Sequence, residues 1–164
     1  MVQKCVDFDE KLKLTVIGAA NVGKTCLTMR YCENKFNLTG PPPTYVDLLN
    51  VKLVEYNEKI YKLLIWDTQG MERRSEILRD ALYEGTNGII VTYDVTQRKT
   101  FDEVPFWLET ARNRSGRDVS IVSVANKTDL DDMRVVSTAE GREIANQHDV
   151  LFIETSAREN ENVK

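Results

Sequence analysis

The stretch of sequence that decides the fold is Gly18-Ala19-Ala20-Asn21-Val22-Gly23-Lys24-Thr25. It matches the pattern G-x4-G-K-[ST] and lies between a predicted strand and a predicted helix. Residues 12 to 16 alternate between apolar and polar side chains, which predicts a strand that stops at Gly18. Residues 24 to 33 then follow a helical pattern. In this order of elements, the backbone N–H groups of the loop and the start of the helix surround phosphate groups. The stretch therefore predicts a site for a nucleoside di- or triphosphate.

Two side chains of this loop have distinct expected roles. Lys24 neutralises the β- and γ-phosphates, and the Thr25 hydroxyl is a ligand for Mg²⁺. The residues of this segment that we expect to contact the nucleotide are Ala20, Asn21, Val22, Gly23, Lys24, Thr25 and Cys26.

The identity of the base is predicted by Asn126-Lys127-Thr128-Asp129, which follows a predicted strand over 119 to 125. The Asp129 carboxylate can accept hydrogen bonds from guanine N1–H and N2–H, whereas adenine has an acceptor at N1. Lys127 can lay its aliphatic stem over the base, and Asn126 can tie this loop to the phosphate loop. N-K-x-D alone is common in loops, so its weight comes from following a phosphate loop. Together the two motifs predict a guanine nucleotide.

Two weaker motifs also follow predicted strands. Asp67-Thr68-Gln69-Gly70 places a second carboxylate toward the metal and the Gly70 N–H toward the γ-phosphate. Thr155-Ser156-Ala157 can present a backbone N–H to guanine O6, and we expect nucleotide contacts at Ser156, Ala157 and Arg158. Each of the four motifs follows a strand that would be parallel in one sheet, so all of them open onto the crevice at the strands' carboxyl ends.

The remaining pattern predicts an α/β fold with a doubly wound, mostly parallel sheet. Helical stretches near 101 to 114 and 138 to 147 alternate with strand-like runs, some of them almost continuously apolar, as in parallel sheets. The strand-like runs lie at 48 to 56, 60 to 66, 88 to 93, 119 to 125 and 150 to 154; the first two, joined by 57 to 59, are typical of an antiparallel hairpin.

Composition limits the possible partners. The 164 residues suit one globular domain, and 26 acidic against 22 basic residues argue against a nucleic-acid backbone as the main partner. Three cysteines without metal-site or disulfide spacing indicate free thiols in a reducing compartment, so we expect a cytoplasmic protein. His148 is the only histidine, so any catalysis here does without a histidine-based triad.

On these residues, the chain resembles the Ras superfamily of small GTPases and, within it, the Rab family. Three further segments are similar to Rab signatures: Lys62 to Thr68, Leu82 to Thr86, and Val91 to Thr96. The resemblance implies a P-loop G domain with six strands, one of them antiparallel, that acts as a switch in vesicle traffic. It implies GDP, GTP and Mg²⁺ as ligands, with Phe36 edge-on against guanine and Thr44 joining Thr25 and Asp67 at the metal in the GTP state.

The resemblance also implies protein partners, namely effectors, exchange factors and activating factors that bind the switch regions. The aromatic patch that Rabs offer to effectors is expected to be reduced here to Leu48, Trp66 and Leu82. Residues 1 to 10 are expected to be an N-terminal extension, and residues 11 to 164 a G domain that stops before the family's last helix. Membrane contact is expected only through sequence beyond residue 164.

The loop after Asp67 departs from the family pattern Asp-Thr-Ala-Gly-Gln-Glu, because it reads Asp67-Thr68-Gln69-Gly70-Met71-Glu72. Met71 replaces the water-positioning glutamine, and a thioether has no donor with which to hold the attacking water. We therefore expect slow GTP hydrolysis, with Lys24, Gln69, Gly70 and Met71 as the catalytic set. Gln69 either crowds the active switch or substitutes as a water ligand.

Three prolines, Pro41 to Pro43, precede Thr44 and stiffen the loop that should close on the metal. With Met71, they favour an alternative in which the chain is a pseudo-GTPase that holds nucleotide structurally and acts as a scaffold. A P-loop small-molecule kinase is a second alternative, which Asp129 argues against and which would prefer ATP.

Overall fold

The structure, a computed structural model, describes residues 7–37, 48–68, 76–116 and 118–164. Within these residues, six strands alternate with helices along the chain. The elements are β1 (Glu10–Ile17), α1 (Lys24–Glu33), β2 (Leu48–Tyr56), β3 (Lys59–Asp67), α2 (Glu76–Tyr83), β4 (Gly88–Asp94), α3 (Arg98–Asp102), α4 (Val104–Ser115), β5 (Ser120–Asn126), a 3-10 turn (Asp131–Met133), α5 (Thr138–Gln147) and β6 (Leu151–Thr155).

The six strands form one sheet in the order β2-β3-β1-β4-β5-β6. All neighbouring pairs are parallel except β2 and β3, which are antiparallel. Leu14 of the central strand β1 lies opposite Ile65 of β3 and Gly88 of β4. This topology confirms the predicted doubly wound α/β fold. It also brings the carboxyl ends of β1, β3, β4, β5 and β6 to one edge.

Neighbouring residues of a strand point to opposite faces of the sheet, and helices pack on both faces. Ile17 of β1 belongs to the main core, which includes Leu108 of α4, and both side chains are fully buried. Val16 instead faces the side on which Tyr31 and Cys32 of α1 pack. The loops at the carboxyl edge therefore start from the ends of strands that are packed on both faces.

The hairpin between β2 and β3 is tighter than predicted. Asn57 and Glu58 have φ angles of 48° and 62°, and Lys59 already belongs to β3. Positive φ at both central residues gives a two-residue turn whose twist suits an antiparallel pair. The predicted three-residue link over 57 to 59 is therefore wrong by one residue.

Two helical details also differ from the prediction. The helix predicted over 101 to 114 is two helices, α3 and α4, and Pro105 lies in the first turn of α4, where a missing N–H costs nothing. Helix α2 was not predicted. The prediction of 138 to 147 is confirmed by α5, where Ser137 and Glu140 form a capping box.

The residues after β6 continue in turns, with a single bridge between Ser156 and Glu161. No helix forms in 156–164. Among the residues that the structure describes, none of the helices has both the length and the apolar character needed to cross a membrane.

Candidate nucleotide-binding site

The phosphate loop follows β1 and packs directly on the ends of neighbouring strands. Gly18 has a φ of +136°, and a Cβ there would lie 2.1 Å from the backbone oxygen of Thr92 in β4. Gly23 has a φ of +97°, and a Cβ there would lie 2.4 Å from Nδ2 of Asn126. Both positions require glycine because side chains rarely adopt these angles and the space is already filled.

Lys24 begins α1 and turns back into the loop that precedes it. Its Nζ donates hydrogen bonds to the backbone oxygens of Gly18 and Ala19, both at 2.8 Å, and the residue is only 5% exposed. The ammonium group is therefore held inside the curve of the loop. A cation in this position can neutralise a phosphate that enters the loop.

Asn126 joins the phosphate loop to the end of β5. Its Nδ2 donates to the backbone oxygen of Val22 at 2.8 Å, and its Oδ1 accepts from the Thr155 hydroxyl at 3.2 Å. Asn126 is 1% exposed. The predicted tie between the two loops is confirmed, and Thr155 extends it to β6.

Lys127 lies in the left-handed backbone region, with a φ of 69°. Its Nζ donates to the backbone oxygen of Asn21 at 2.8 Å and forms a 2.6 Å ion pair with Asp94 at the end of β4. Asp94 was not among the predicted site residues. It forms no part of the four sequence motifs, and only the parallel register of β4 and β5 brings it beside the N-K-x-D loop.

Asp129 is held by Ser156 of the Thr155-Ser156-Ala157 motif. Its Oδ1 accepts from the Ser156 hydroxyl at 2.6 Å, and the Ser156 oxygen in turn accepts from the backbone N–H of Glu159 at 3.0 Å. Ser156 is fully buried. The Ser156 side chain thus fixes the orientation of the carboxylate that was predicted to read the base.

One cavity of about 190 Å³ collects most of the predicted base contacts. Eight of its nine lining residues were predicted, and Leu130 is the addition. The lining residues are Gly23, Cys26, Phe36, Asn126, Lys127, Asp129, Leu130, Ala157 and Arg158. Burial raises the pKa of the Cys26 thiol, so this wall of the cavity is uncharged at neutral pH.

Arg30 of α1 joins two walls of this cavity, and no sequence motif pointed to it. Its Nε donates to the backbone oxygen of Ala157 at 2.8 Å, and its Nη2 donates to that of Arg158 at 3.0 Å. Its Nη1 donates to the backbone oxygen of Asn34 at 3.0 Å, and the guanidinium lies 5.8 Å from the ring centre of Phe36. The Arg30 side chain therefore holds the loop after β6, which we call the β6 loop (156 to 158), together with the segment after α1.

The donor chemistry suits Mg²⁺. Thr25, the second residue of α1, carries a hydroxyl, and Asp67 ends β3 with a fully buried carboxylate; both are hard oxygen ligands. Within the described ranges, no three histidine, cysteine, aspartate or glutamate side chains form a metal-binding cluster. Mg²⁺ commonly takes its remaining ligands from substrate phosphates and water.

Several predicted residues lie outside the described residues: Thr44 and the prolines at 41 to 43, and Gln69, Gly70 and Met71. Thr68, just before the latter group, is described and donates to the backbone oxygen of Val16 at 2.8 Å. This hydrogen bond fixes the start of the loop that carries them.

The expected partner patch is wrong at Leu82, which is 5% exposed and belongs to the main core. The Leu48 side chain lies outside what the structure describes. Three other apolar β2 side chains, which share one face, are exposed instead, namely Leu49 at 47%, Val51 at 52% and Leu53 at 40%. Residues 49, 51 and 53 are the more apolar alternating set of β2, so alternation alone does not predict that they face outward.

The fold, the phosphate loop and the loops after β5 and β6 define a P-loop nucleotide-binding domain. Comparison with known proteins gives its family: the Ras family pattern matches residues 13–164. Ras-related protein Rab-10 of Diplobatis ommata is 38% identical over 157 residues, which are 96% of this chain and 78% of that protein. Ras-related protein Rab-3 of Caenorhabditis elegans is 41% identical over 158 residues, 96% and 71% of the two chains.

Ras-related protein Rab-11B of Dictyostelium discoideum is 37% identical over 164 residues, 100% of this chain and 74% of that protein. The chain belongs to the Ras family, and its G domain is Rab-like. Membership implies a small GTPase domain that binds a guanine nucleotide.

Proposed function

We propose that this chain is a Rab-type molecular switch that binds GDP and GTP with Mg²⁺ and hydrolyses GTP slowly. The observation that carries the proposal is the cavity in which Asp129 faces Lys127, Phe36 and Ala157. A pocket walled by an aromatic ring, an aliphatic stem and one oriented carboxylate suits a flat base with two adjacent donors.

Guanine recognition follows from the acceptor sites that remain on the Asp129 carboxylate. Two carboxylate oxygens offer about four acceptor sites, and the Ser156 hydroxyl occupies one of them. The others can accept from guanine N1–H and N2–H. Adenine presents an acceptor at N1 to the same oxygens, so the pocket selects against ATP. The backbone N–H of Ala157 is proposed to donate to guanine O6.

The phosphate side of the proposed site is the loop over 18 to 25. Lys24 meets the β- and γ-phosphates, with Ala20, Asn21, Val22 and Gly23 supplying the surrounding backbone. Thr25 and Asp67 would hold Mg²⁺, joined by Thr44 in the GTP state. When bound, this metal supplies neutralisation of charge on the phosphate oxygens.

Slow hydrolysis is proposed from Met71, which can neither donate to phosphate nor accept from water as a glutamine can. Lys24 still stabilises charge that develops on the leaving phosphate, so the reaction keeps its electrostatic part. Gly70 would contact the γ-phosphate, and Gln69 either crowds this loop or takes over the water. Met71 itself supplies no group that could fix the position of the nucleophile.

A pseudo-GTPase scaffold is the second candidate, and Pro41 to Pro43 together with Met71 favour it. In that case, the chain keeps the same nucleotide whether or not GTP is in excess. Its surface then serves a partner without switching.

Protein partners are proposed to contact the outward face of β2 and β3. Leu49 lies opposite Trp66, and Val51 lies opposite Leu64, so the exposed β2 side chains continue onto β3 as one apolar stripe. A stripe of this kind on an acidic domain suits the apolar face of a partner helix.

The proposed G domain spans residues 11 to 164, with residues 1 to 10 as an extension before it. Cys26 and Cys32 are free thiols in the structure, which fits a reducing compartment such as the cytoplasm. Attachment to a membrane is proposed to depend on sequence other than this domain.

The experiment that tests the proposed function identifies the nucleotide that copurifies with the chain and then measures one turnover of GTP. Bound GDP or GTP, displaced by GTP but not by a hundredfold excess of ATP, supports guanine binding. Slow release of phosphate supports the switch, and absence of release over days supports the scaffold. Equal competition by ATP contradicts both.

A further inference from the structure

Asp94 is a buried carboxylate that none of the nucleotide motifs includes. It ends β4, is fully buried, and its two oxygens have separate sets of donors. Oδ1 accepts from the backbone N–H of Thr96 at 2.8 Å and from the Thr96 hydroxyl at 2.7 Å. Oδ2 accepts from Nε2 of Gln97 at 3.1 Å and forms the 2.6 Å ion pair with Lys127.

The Lys127 ammonium is shared between two loops. Besides the ion pair with Asp94, its Nζ donates to the backbone oxygen of Asn21 at 2.8 Å. Asn21 itself lies in the left-handed region, with a φ of 64°. The chain of contacts Asp94–Lys127–Asn21 therefore links the end of β4, the base-reading loop and the phosphate loop.

The contacts of the Lys127 ammonium with Asp94 and with the Asn21 backbone oxygen set the direction of the Lys127 side chain. A lysine has several rotatable bonds, and its side chain loses rotamer freedom when it lies against a ligand. The buried charge of Asp94 attracts the ammonium strongly because little water screens it. The stem of Lys127, which lines the cavity, is thus held in place before a ligand enters.

We propose that Asp94 is a positioning residue for the nucleotide: by holding Lys127, it fixes one wall of the base cavity and the Asn21 carbonyl, and it thereby slows nucleotide release. The inference rests on the proposed function, since it assigns a role within the same site. Asp94 acts only through Lys127, because its own oxygens are fully occupied by donors of the protein.

A double-mutant cycle tests this role with the dissociation rate of a fluorescent GDP. Asp94→Asn removes the charge, and Lys127→Met keeps the stem but removes the ammonium. Each single variant is expected to release GDP at least about tenfold faster than the parent, the lower range of coupling for close charge pairs. The double variant is expected to release GDP no faster than Lys127→Met alone, because the two changes break the same contact.

Glu154→Gln is the matched control. Glu154 is a half-buried carboxylate on β6 that pairs with Arg134 at 2.8 Å and accepts from the Thr138 hydroxyl at 2.9 Å, outside the cavity lining. Its loss is expected to lower thermal stability while leaving the GDP dissociation rate within about twofold. Should Asp94→Asn fail to fold, Asp94→Ser carries the same cycle, because a hydroxyl still accepts from Thr96 N–H without charge.

Two results overturn the inference alone: GDP release from Asp94→Asn at the parent's rate, or rate increases that multiply in the double variant. A parent that binds no GDP overturns the proposed function and this inference with it. Faster release in both single variants, no further gain in the double variant, and an unchanged rate in Glu154→Gln support it.

Discussion

Replacing Arg30 tests whether the base cavity depends on a side chain outside the sequence motifs. Arg30→Met keeps the stem that packs in α1 but removes the guanidinium. The β6 loop then loses the two hydrogen bonds at the backbone oxygens of Ala157 and Arg158, and the segment after α1 loses its bond at Asn34. We expect weaker GDP binding, with the phosphate loop itself unchanged.

The expected loss of GDP-binding free energy can be estimated from the two hydrogen bonds that Arg30 makes to Ala157 and Arg158, in the loop after β6. A hydrogen bond to a charged group contributes about 1.5 to 3 kcal/mol. Arg30 is only half-buried, so water can replace part of each hydrogen bond. We therefore assign each bond a net contribution of about 1 kcal/mol to GDP binding. A loss of about 2 kcal/mol corresponds to roughly thirtyfold weaker GDP binding.

Calorimetric titration of GDP into the nucleotide-free protein measures this loss. Arg112→Met is the matched control, because Arg112 of α4 also donates to two successive backbone oxygens, those of His148 and Asp149, outside the cavity lining. The control is expected to lose thermal stability but to bind GDP like the parent. An Arg30→Met protein that binds GDP within threefold of the parent would refute the reasoning.

Four further substitutions test three separate features of the protein: hydrolysis, metal binding and the packing of α5. Met71→Gln should speed single-turnover GTP hydrolysis about tenfold in quenched flow, with little change in GTP affinity, since the glutamine acts mainly in the transition state. Thr25→Asn should markedly weaken Mg²⁺-dependent GTP binding in a titration with and without Mg²⁺, whereas Thr44→Ala should change the ratio of GTP to GDP affinity little. Gly141→Ala should lower the free energy of unfolding by about 1 to 3 kcal/mol in a denaturant titration, because its Cβ would lie 2.4 Å from the Tyr93 hydroxyl oxygen.

Each of these expectations has a contradicting result, which for Thr25→Asn is Mg²⁺-dependent GTP binding as tight as the parent's. An unchanged or lower rate in Met71→Gln would assign the water to another side chain of the same loop. A large loss of GTP preference in Thr44→Ala would show that the proline-rich loop closes normally on the metal. An unchanged free energy of unfolding in Gly141→Ala would show that α5 can move away from the sheet at little energetic cost.

The contacts that sequence could predict are those set by motif spacing. Asn126 reaches the phosphate loop because N-K-x-D follows a strand two places from β1, and the confirmed parallel order puts the two loops at one edge. Ser156 and Asp129 were both predicted at the site on the same grounds. Their direct hydrogen bond depends on the exact positions of two loops, which no pattern specifies.

Arg30 and Asp94 were beyond prediction for a different reason. Arg30 lies 127 residues from Ala157 in the sequence, and an arginine near the end of a helix is most often a surface residue. Asp94 ends an apolar strand within the Val91 to Thr96 segment, and the resemblance of that segment assigned it no role; its contact with Lys127 appears only when β4 and β5 are placed side by side. Helix α2 has only eight residues, and burial of Leu82 and Tyr83 contributes more to it than local propensity does.

The central claim, that this cavity reads guanine through one carboxylate, is tested most directly by the base preference of Asp129→Asn. An asparagine oxygen can still accept from Ser156, so the loop should keep its position while guanine loses half of its matched acceptors. In competition assays of GDP against XDP, we expect guanine affinity to fall at least tenfold, about 1.4 kcal/mol or more, and xanthine affinity to rise. A variant that binds GDP as tightly as the parent would contradict the account.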